Sequence, residues 1–428
     1  MFLRRIVRQA RPFSSSRAVD AAMPSTSPAT RPLIVAGVPL SADSNVPAAV
    51  ADKVGRNLHL SRHHPLNIIK TIIEDHFREV ERDAARVGQR AEFRFFDDMC
   101  PVVTTKACFD DLLTPKDHVS RSVSDTYYVC PGERQLVLRT HTSAHQNELM
   151  QAGHRSFLAS GDVYRRDEID SSHYPCFHQM EGVHVFDPEE LPGGGGENAS
   201  FDPTSPEAVL HCEEHLKRTL EGLVRKLFGE DCEMRWGVDD FPFTDPSFEL
   251  EVFFRGDWLE VLGCGVVHRE ILQNCGLAHT NGWAFGLGLE RLAMVLFQIP
   301  DIRLFWSEDP RFLEQFTDGE VKRFRPFSKY PPCYKDVSFW LPAEGGGGDG
   351  GPGFHENDLF EQIRAVGGDM VEAVEKIDEF IHPKTQRKSQ AYRITWRHMS
   401  RTLTDAEVDK MQFEVRDRIG EELGCEVR

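Results

Sequence analysis

The chain of 428 residues has no run of about eighteen uninterrupted apolar residues, which excludes a helix that spans a bilayer. Its ten cysteines, from Cys100 to Cys425, include no C-x-x-C pair. Neither a zinc-site spacing nor a small disulfide framework is suggested, and the thiols read as reduced and structural. Positive charge is not in surplus either, since 50 Lys and Arg face 68 Asp and Glu for a formal net charge of −18. Binding of a polyanion through bulk charge is therefore excluded, and any RNA contact has to be local. Acid is missing from the first nineteen residues, which hold five arginines and three serines. At about 100° per residue, Phe2, Leu3, Ile6, Val7 and Ala10 fall on one arc and Arg4, Arg5, Arg8 and Arg11 opposite it. This pattern predicts a mitochondrial presequence with a Ser/Pro/Thr-rich linker over residues 1–31, and hence a location in the mitochondrial matrix.

The remaining length holds two or three domains. Pro65 opens a predicted helix in which Leu66, Ile69, Ile73 and Phe77 repeat at helical spacing. Residues 157–186 read as a hairpin with a long polar loop, and Ser205-Pro206 caps a helix that Gly229 stops. A β-rich block over 241–267 turns at Gly256-Asp257. A glycine-containing segment, 283–288, then runs into a helix with Leu289, Leu292, Ala293 and Phe297 on one face. After Arg325 the order of strands and helices fits a small βαββαβ module. The expected domains are 57–324 and 325–428.

Several residues carry chemistry on their own account. Arg165 ends a predicted strand, and its guanidinium fork suits a phosphoryl group; the bland alternative is an ion pair with Asp167 or Glu168. Arg291 follows Gly286 and Gly288 at a helix start, where anions are favoured. A dinucleotide fingerprint fails there, because the third glycine and a ribose-binding acid are absent. Period-two alternation puts Gln179 and Glu181 on one strand face as polar acceptors. Phe241 and Phe243 flank Pro242 and can present two rings to one cavity, although plain core is the usual fate of such residues. Glu260, just before Gly263-Cys264-Gly265, offers hard oxygens to Mg²⁺, with Glu249 and Glu251 as weaker candidates.

Four blocks in this order carry a resemblance: His141-Thr-Ser-Ala-His-Gln146; Gly161-Asp-Val-Tyr-Arg-Arg-Asp-Glu168 with Phe177-His-Gln-Met-Glu-Gly182; Phe241-Pro-Phe-Thr244; and Gly286-Leu-Gly-Leu-Glu-Arg291. Together they resemble the class II phenylalanyl-tRNA synthetases, in their monomeric mitochondrial branch. The resemblance implies an α+β fold: a class II antiparallel sheet flanked by helices, with a C-terminal ferredoxin-like anticodon-binding domain. It also implies formation of phenylalanyl-adenylate from ATP and phenylalanine, then transfer to the 3′-terminal adenosine of tRNA(Phe). In that scheme Arg165 takes the α-phosphate and Arg291 the γ-phosphate, while Ser143, Gln179 and Glu181 hold the α-amino group. Phe241 and Phe243 wall the side-chain pocket, and Phe285 stacks on adenine. His141, Thr142, Ala144, His145, Ser171, His173, His178 and Met180 match positions around the substrates. The family pattern has Glu two positions after the motif 2 arginine, where this chain has Asp167 followed by Glu168.

The acid-free run from His382 to Arg401 supplies the local basic surface that the net charge required. Lys384, Arg387, Lys388, Arg393 and Arg397 are its expected tRNA contacts, with Tyr392 and Trp396 interleaved for stacking. Two rival readings are a synthetase for another amino acid, which the Phe241-Pro242-Phe243 pocket disfavours, and a paralogue that has lost activation, which the set Arg165, Glu181, Glu260 and Arg291 disfavours.

Overall fold

Seven strands build the main sheet of this computed structural model: β1 (Arg94–Phe96), β2 (Ser156–Tyr164), β3 (Cys176–Phe186), β4 (Glu233–Asp239), β5 (Thr244–Phe254), β6 (Asp257–Val267) and β7 (Asn281–Gly288). Their spatial order is β1-β2-β3-β7-β6-β5-β4, and every pairing is antiparallel except that of β1 with β2. The structure describes residues 33–86, 92–132, 135–194, 202–326, 330–342 and 353–428. The presequence expected over 1–31, and the glycine runs at 195–196 and 345–348, lie outside these. Residues Leu33 to Arg428 form one compact unit.

Three helices cover one face of the sheet. Helix α1 (Pro65–Arg86) begins with proline at its first position and buries Leu66, Ile69, Ile73 and Phe77. Helix α2 (Pro206–Phe228) is capped by the Ser205 hydroxyl, which accepts from the Ala208 N–H, and ends at Gly229 with φ 103°. Helix α3 (Leu289–Phe297) leaves β7 directly and buries Leu292, Ala293 and Phe297. Each such side chain contributes roughly 1.5–3 kcal/mol through burial, so the spacing read in the sequence is the force that seats these helices.

Register decides which residues face the helices. Opposite one another on the covered face lie Met180 and Leu287, Gly182 and Phe285, and His184 and Trp283. Gln179 and Glu181, opposite Gly288 and Gly286, point to the other side. The strand-to-helix junction is fastened at the same level. Glu290, buried at the start of α3, accepts from the His178 backbone N–H and pairs with His178 Nδ1, both at 2.7 Å.

A second fastening lies behind β2. Arg139 donates from Nη2 to Asp162 Oδ1 at 2.8 Å and from Nε to the Asp162 carbonyl at 2.7 Å. Both side chains are 2% exposed. Gly161 makes this possible, because a Cβ there would stand 2.0 Å from Arg139 Nη2. Burial pushes the Asp162 carboxyl up, and the Arg139 guanidinium with the Tyr164 hydroxyl more than reverses this, holding it below the usual value of 3.8.

The C-terminal module follows the predicted order: β8 (Cys333–Trp340), α4 (Glu356–Gly367), β9 (Val371–Ile381), β10 (Lys388–Trp396), α5 (Asp405–Leu423) and β11 (Glu426–Val427). Its sheet runs β9-β10-β8-β11. Leu359 and Ile363 of α4 and Val408, Val415 and Ile419 of α5 pack with Val337, Phe339 and Ile394 on one face. Tyr392 and Trp396, expected as stacking residues, belong to this core at 1% and 0% exposure. Alternation along β10 sends even-numbered residues to the helices, so neither ring is available to RNA. The module docks on the loop between β2 and β3: the Arg364 guanidinium donates to the carbonyls of Asp167 and Glu168, Arg166 pairs with Asp358, and Ile169 enters the module's core.

Removing one partner of a buried ion pair leaves the other charge uncompensated, at about 3–5 kcal/mol. Asp162→Ala is therefore expected to lower the free energy of unfolding by that amount, measured by urea titration at pH 7. Because the folded-state value is depressed, the native pair's contribution is present above pH 3.8 and is lost as pH falls through the lower folded value.

Candidate active site

The open face of the main sheet carries a cavity of about 590 Å³. From the sequence candidates it gathers His141, Thr142, Ser143, Arg165, Gln179, Glu181, Phe241, Phe243, Glu260 and Phe285. Arg165 is half-buried where β2 gives way to the loop, and its Nε donates to the Thr140 carbonyl at 2.9 Å. Burial pulls its guanidinium below the ordinary value. Among the described residues it forms no ion pair with Asp167 or Glu168, so the bland reading of this arginine fails. Asp167 lines the cavity and Glu168 does not.

Glu181 is the electrostatic anomaly of the site. It is 2% exposed, and neither carboxylate oxygen completes a hydrogen bond within the protein. Burial pushes its pKa up to about 8; the Ser143 hydroxyl pulls the other way without reaching full hydrogen-bond geometry. Leaving such a group unpaired is costly, so an arrangement of this kind fits a ligand that brings a cation or donors. Beside it His141 is held neutral, its pKa lowered to about 3 by burial and by the charge of Arg165.

Phe241 and Phe243 sit between β4 and β5 with ring planes 5° apart and centroids at 5.7 Å. Gly263 admits the first ring, since a Cβ there would lie 2.7 Å from Phe241. Glu260 reaches the open face through a β-bulge. Leu250 pairs with Leu262 and the next residue, Glu251, pairs with Glu260, which leaves Val261 as the extra residue and shifts the alternation by one. Glu249, opposite Gly263, and Glu251 share that face. Glu251 is held by Arg235, while burial and then the charge of Glu260 raise Glu249. Arg291, third residue of α3, lies at the rim with Nη1 3.5 Å from Glu260 Oε2.

Other expected site residues are elsewhere. Met180 is buried in the core beneath the sheet, and His178 is consumed by Glu290, because even-numbered positions of β3 face the helices. Phe285 borders the cavity, but its ring turns to the covered face and stacks on Phe77 at 5.5 Å and 6°, away from the side expected to stack on adenine. Ala144 packs with Val103, Cys108 and Val137. His145 is taken by Arg139 and Glu148 at 2.8 Å each. Ser171 and His173 lie in the loop against the C-terminal module, where Asp170 Oδ2 holds His173 Nδ1 at 2.7 Å. Sequence reasoning missed Gln146, Asp125 and Asp239 in the cavity wall; only Gln146 lay inside a quoted block. In the basic run, Arg387 pairs with Glu426, Lys388 with Glu379, Arg393 with Asp336 and Arg397 with Glu372, while Lys384 is exposed.

Known proteins place the chain in a family. Residues 53–190 and 212–316 match the family of tRNA synthetases class II core domain (F), and 328–428 match the ferredoxin-fold anticodon binding domain. A chloroplastic/mitochondrial phenylalanine–tRNA ligase of Arabidopsis thaliana is 51% identical over 386 residues, covering 90% of this chain and 83% of its own. Mitochondrial phenylalanine–tRNA ligases of Mus musculus and Dictyostelium discoideum are 48% and 45% identical, covering 90% of this chain and 86% and 89% of theirs.

The raised Glu181 value makes binding of an ammonium proton-linked. Below about pH 8 the free carboxyl is protonated, and an entering ammonium favours the ionised form, so binding releases a proton. Affinity for L-phenylalanine is expected to rise by up to about tenfold per pH unit up to that value and then level off. Calorimetry at pH 7 in buffers of different ionisation enthalpy should report close to one proton released, and Glu181→Gln should report none.

Proposed function

The chain belongs to the class II phenylalanine–tRNA ligases, and from that premise we propose how its own residues divide the reaction. The family's activity is ATP-dependent ligation of phenylalanine to tRNA, and the mitochondrion is the compartment named for its relatives. To this we add the matrix as the site of work and a single chain as the working unit.

In this reading phenylalanine enters with its ring between the walls formed by Phe241 and Phe243, and its ammonium meets Glu181, Gln179 and Ser143. The orphaned Glu181 carboxyl is the observation that carries the assignment, since a buried unpaired acid fits a ligand that supplies the missing cation. Arg165 clamps the α-phosphate of ATP and Arg291 the γ-phosphate, both as fixed charges that need no reorganisation as negative charge develops. The amino acid's carboxylate oxygen attacks the α-phosphorus, the bond to the bridging oxygen breaks, and pyrophosphate leaves. The terminal 2′-hydroxyl of the tRNA then attacks the acyl carbonyl and AMP departs, so no protein nucleophile is required. Proximity supplies much of the rate in both steps.

Glu260, which lines the cavity, and Glu249 on the same face fit Mg²⁺, because burial and then the Glu260 charge raise Glu249, and Arg291 approaches Glu260 only to 3.5 Å. The ion would neutralise phosphate charge there.

Amino-acid-dependent ATP–pyrophosphate exchange tests the reading. Phenylalanine is expected to stimulate exchange chiefly, among the twenty amino acids, and Arg165→Ala to lower its rate about 10²–10³-fold. Exchange driven by another amino acid refutes the pocket. Phe241→Ala is expected to raise KM for phenylalanine about tenfold through lost ring contact and burial, leaving KM for ATP nearly unchanged; an equal rise in both sinks that wall.

A further inference from the structure

A row of four consecutive carbonyls starts one residue beyond Arg165, and each of them accepts from the C-terminal module. The Arg166 carbonyl takes Asn357 Nδ2 at 3.2 Å, and the carbonyls of Asp167 and Glu168 share Arg364 Nη2 at 2.8 and 3.3 Å. The Ile169 carbonyl takes the Val374 N–H at 2.9 Å. Residues 165–169 belong to no helix or strand, so these bonds stand where a ladder would hold a strand. Backbone outside regular structure opens at the lowest cost, and here its hydrogen bonds come from another domain.

The same face of α4 also reaches a second segment of the cavity rim. Asn357, Asp358, Glu361 and Arg364 recur at helical spacing. Asn357 Nδ2 donates to the Ser124 carbonyl at 2.9 Å as well, and Glu361 accepts from the Tyr127 hydroxyl at 2.8 Å. Asp358 pairs with Arg166 at 2.9 Å, and the Arg166 N–H donates to the Asp125 carbonyl at 2.9 Å. Asp125, Thr126, Arg165 and Asp167 all line the cavity. One helix of the small domain therefore ties segment 124–127 to segment 166–169. Arg364 is 8% exposed and paired through Nη1 with Glu361, which leaves Nη2 for the loop.

We propose that Arg364 and Asn357 are positioning residues for the first half-reaction, so that the C-terminal module completes the adenylate-forming site before tRNA is present. The inference rests on the ligase reading above. Arg165 is tied to Thr140 through its side chain, and the backbone that leaves it is tied to the module. A charge that stabilises a transition state has to be held closely, since a misplacement of about 1 Å costs about 10²-fold in rate. A surface that only docked one domain on another would leave the tRNA-free reaction unaffected.

The test uses the full chain without tRNA and follows phenylalanine-dependent ATP–pyrophosphate exchange, with active sites counted by bound adenylate. Arg364→Gln combined with Glu361→Gln removes the two donors without leaving a buried charge unpaired. It is expected to lower kcat about 10–10²-fold and to raise KM for ATP, because the displaced loop carries the groups beside the phosphates. KM for phenylalanine should stay at the wild-type value, since the groups expected to hold the amino acid lie on other segments. Loss of folded protein would move neither KM. Asn357→Ala keeps the buried ion pair and is expected to shift kcat and KM for ATP in the same directions by a smaller factor, so it serves if the double variant folds poorly. Wild-type kcat and KM for ATP in a folded variant, or equal rises in both KM values, overturn the proposal alone. A wild-type chain that supports no exchange with phenylalanine overturns the ligase reading together with it.

Discussion

The buried pair of Arg139 and Asp162 is the constraint on which the catalytic face depends. Arg139 closes the short strand Leu136–Leu138, and the chain that leaves it presents His141, Thr142 and Ser143 to the cavity. Asp162 sits on β2, three residues before Arg165. Two backbone links accompany the ion pair: Tyr164 N–H donates to the Arg139 carbonyl at 2.9 Å, and Arg165 Nε to the Thr140 carbonyl. One fastening thus fixes the distance between the groups expected to hold an amino acid and the group expected to hold its phosphate partner. The pair's desolvation penalty is offset by good geometry, because Arg139 also reaches the Met99 carbonyl and His145, and Asp162 also accepts from Tyr164. His178 and Glu290 do the same for the other arginine. They clamp the junction of β7 and α3 to β3, one residue from Gln179 on one side and one residue from Arg291 on the other.

Both fastenings lie away from the ligand cavity. Strand alternation therefore splits the quoted blocks in two: of neighbouring residues in one motif, alternate members face the substrates and the rest hold the sheet together. Glu181 and Gln179 are of the first kind, Met180 and His178 of the second. A block matched as a unit cannot make this distinction, whereas a strand period can.

Much of the fold was legible in the sequence, for physical reasons that can be named. Helices α1, α2 and α3 announced themselves through apolar spacing and caps, and the order of the C-terminal module through alternating patterns. Phe241, Phe243 and Arg165 line the cavity, and what singled them out was the order of the four family blocks, because on their own chemistry plain core and a surface ion pair were the commoner fates. Errors arose where tertiary packing outranked position in a motif. Phe285 reads as a nucleotide stacker beside Gly286 and Gly288, yet it fills the space that Gly182 leaves and rests on Phe77. Tyr392 and Trp396 stand in a basic run, but the period of β10 turns them inward. Glu260 lines the cavity for a reason that the sequence hides: strict alternation from Gly263 would send it to the helices, and only the bulge at Val261 returns it to the open face.

The residues that break the ordinary rules of folding form two complementary sets. A buried carboxyl without a partner, Glu181, makes the free fold less stable as pH rises from its ordinary value of 4.5 toward about 8, since the folded chain binds the extra proton in that interval. Arg165 is half-buried and forms no ion pair among the described residues, and loss of water around it works in the opposite electrical sense. Bringing the two together as an ion pair would relieve both, yet Thr140 and the sheet register hold them apart on separate strands. An ammonium joined through an acyl group to a phosphate suits both at once, with the cation at one end and the phosphoryl oxygens at the other. The aminoacyl-adenylate of the first half-reaction has that charge order. On the proposed assignment of Glu181 and Arg165, the intermediate meets both groups at once while phenylalanine or ATP alone meets one, which is the differential binding that favours the first half-reaction.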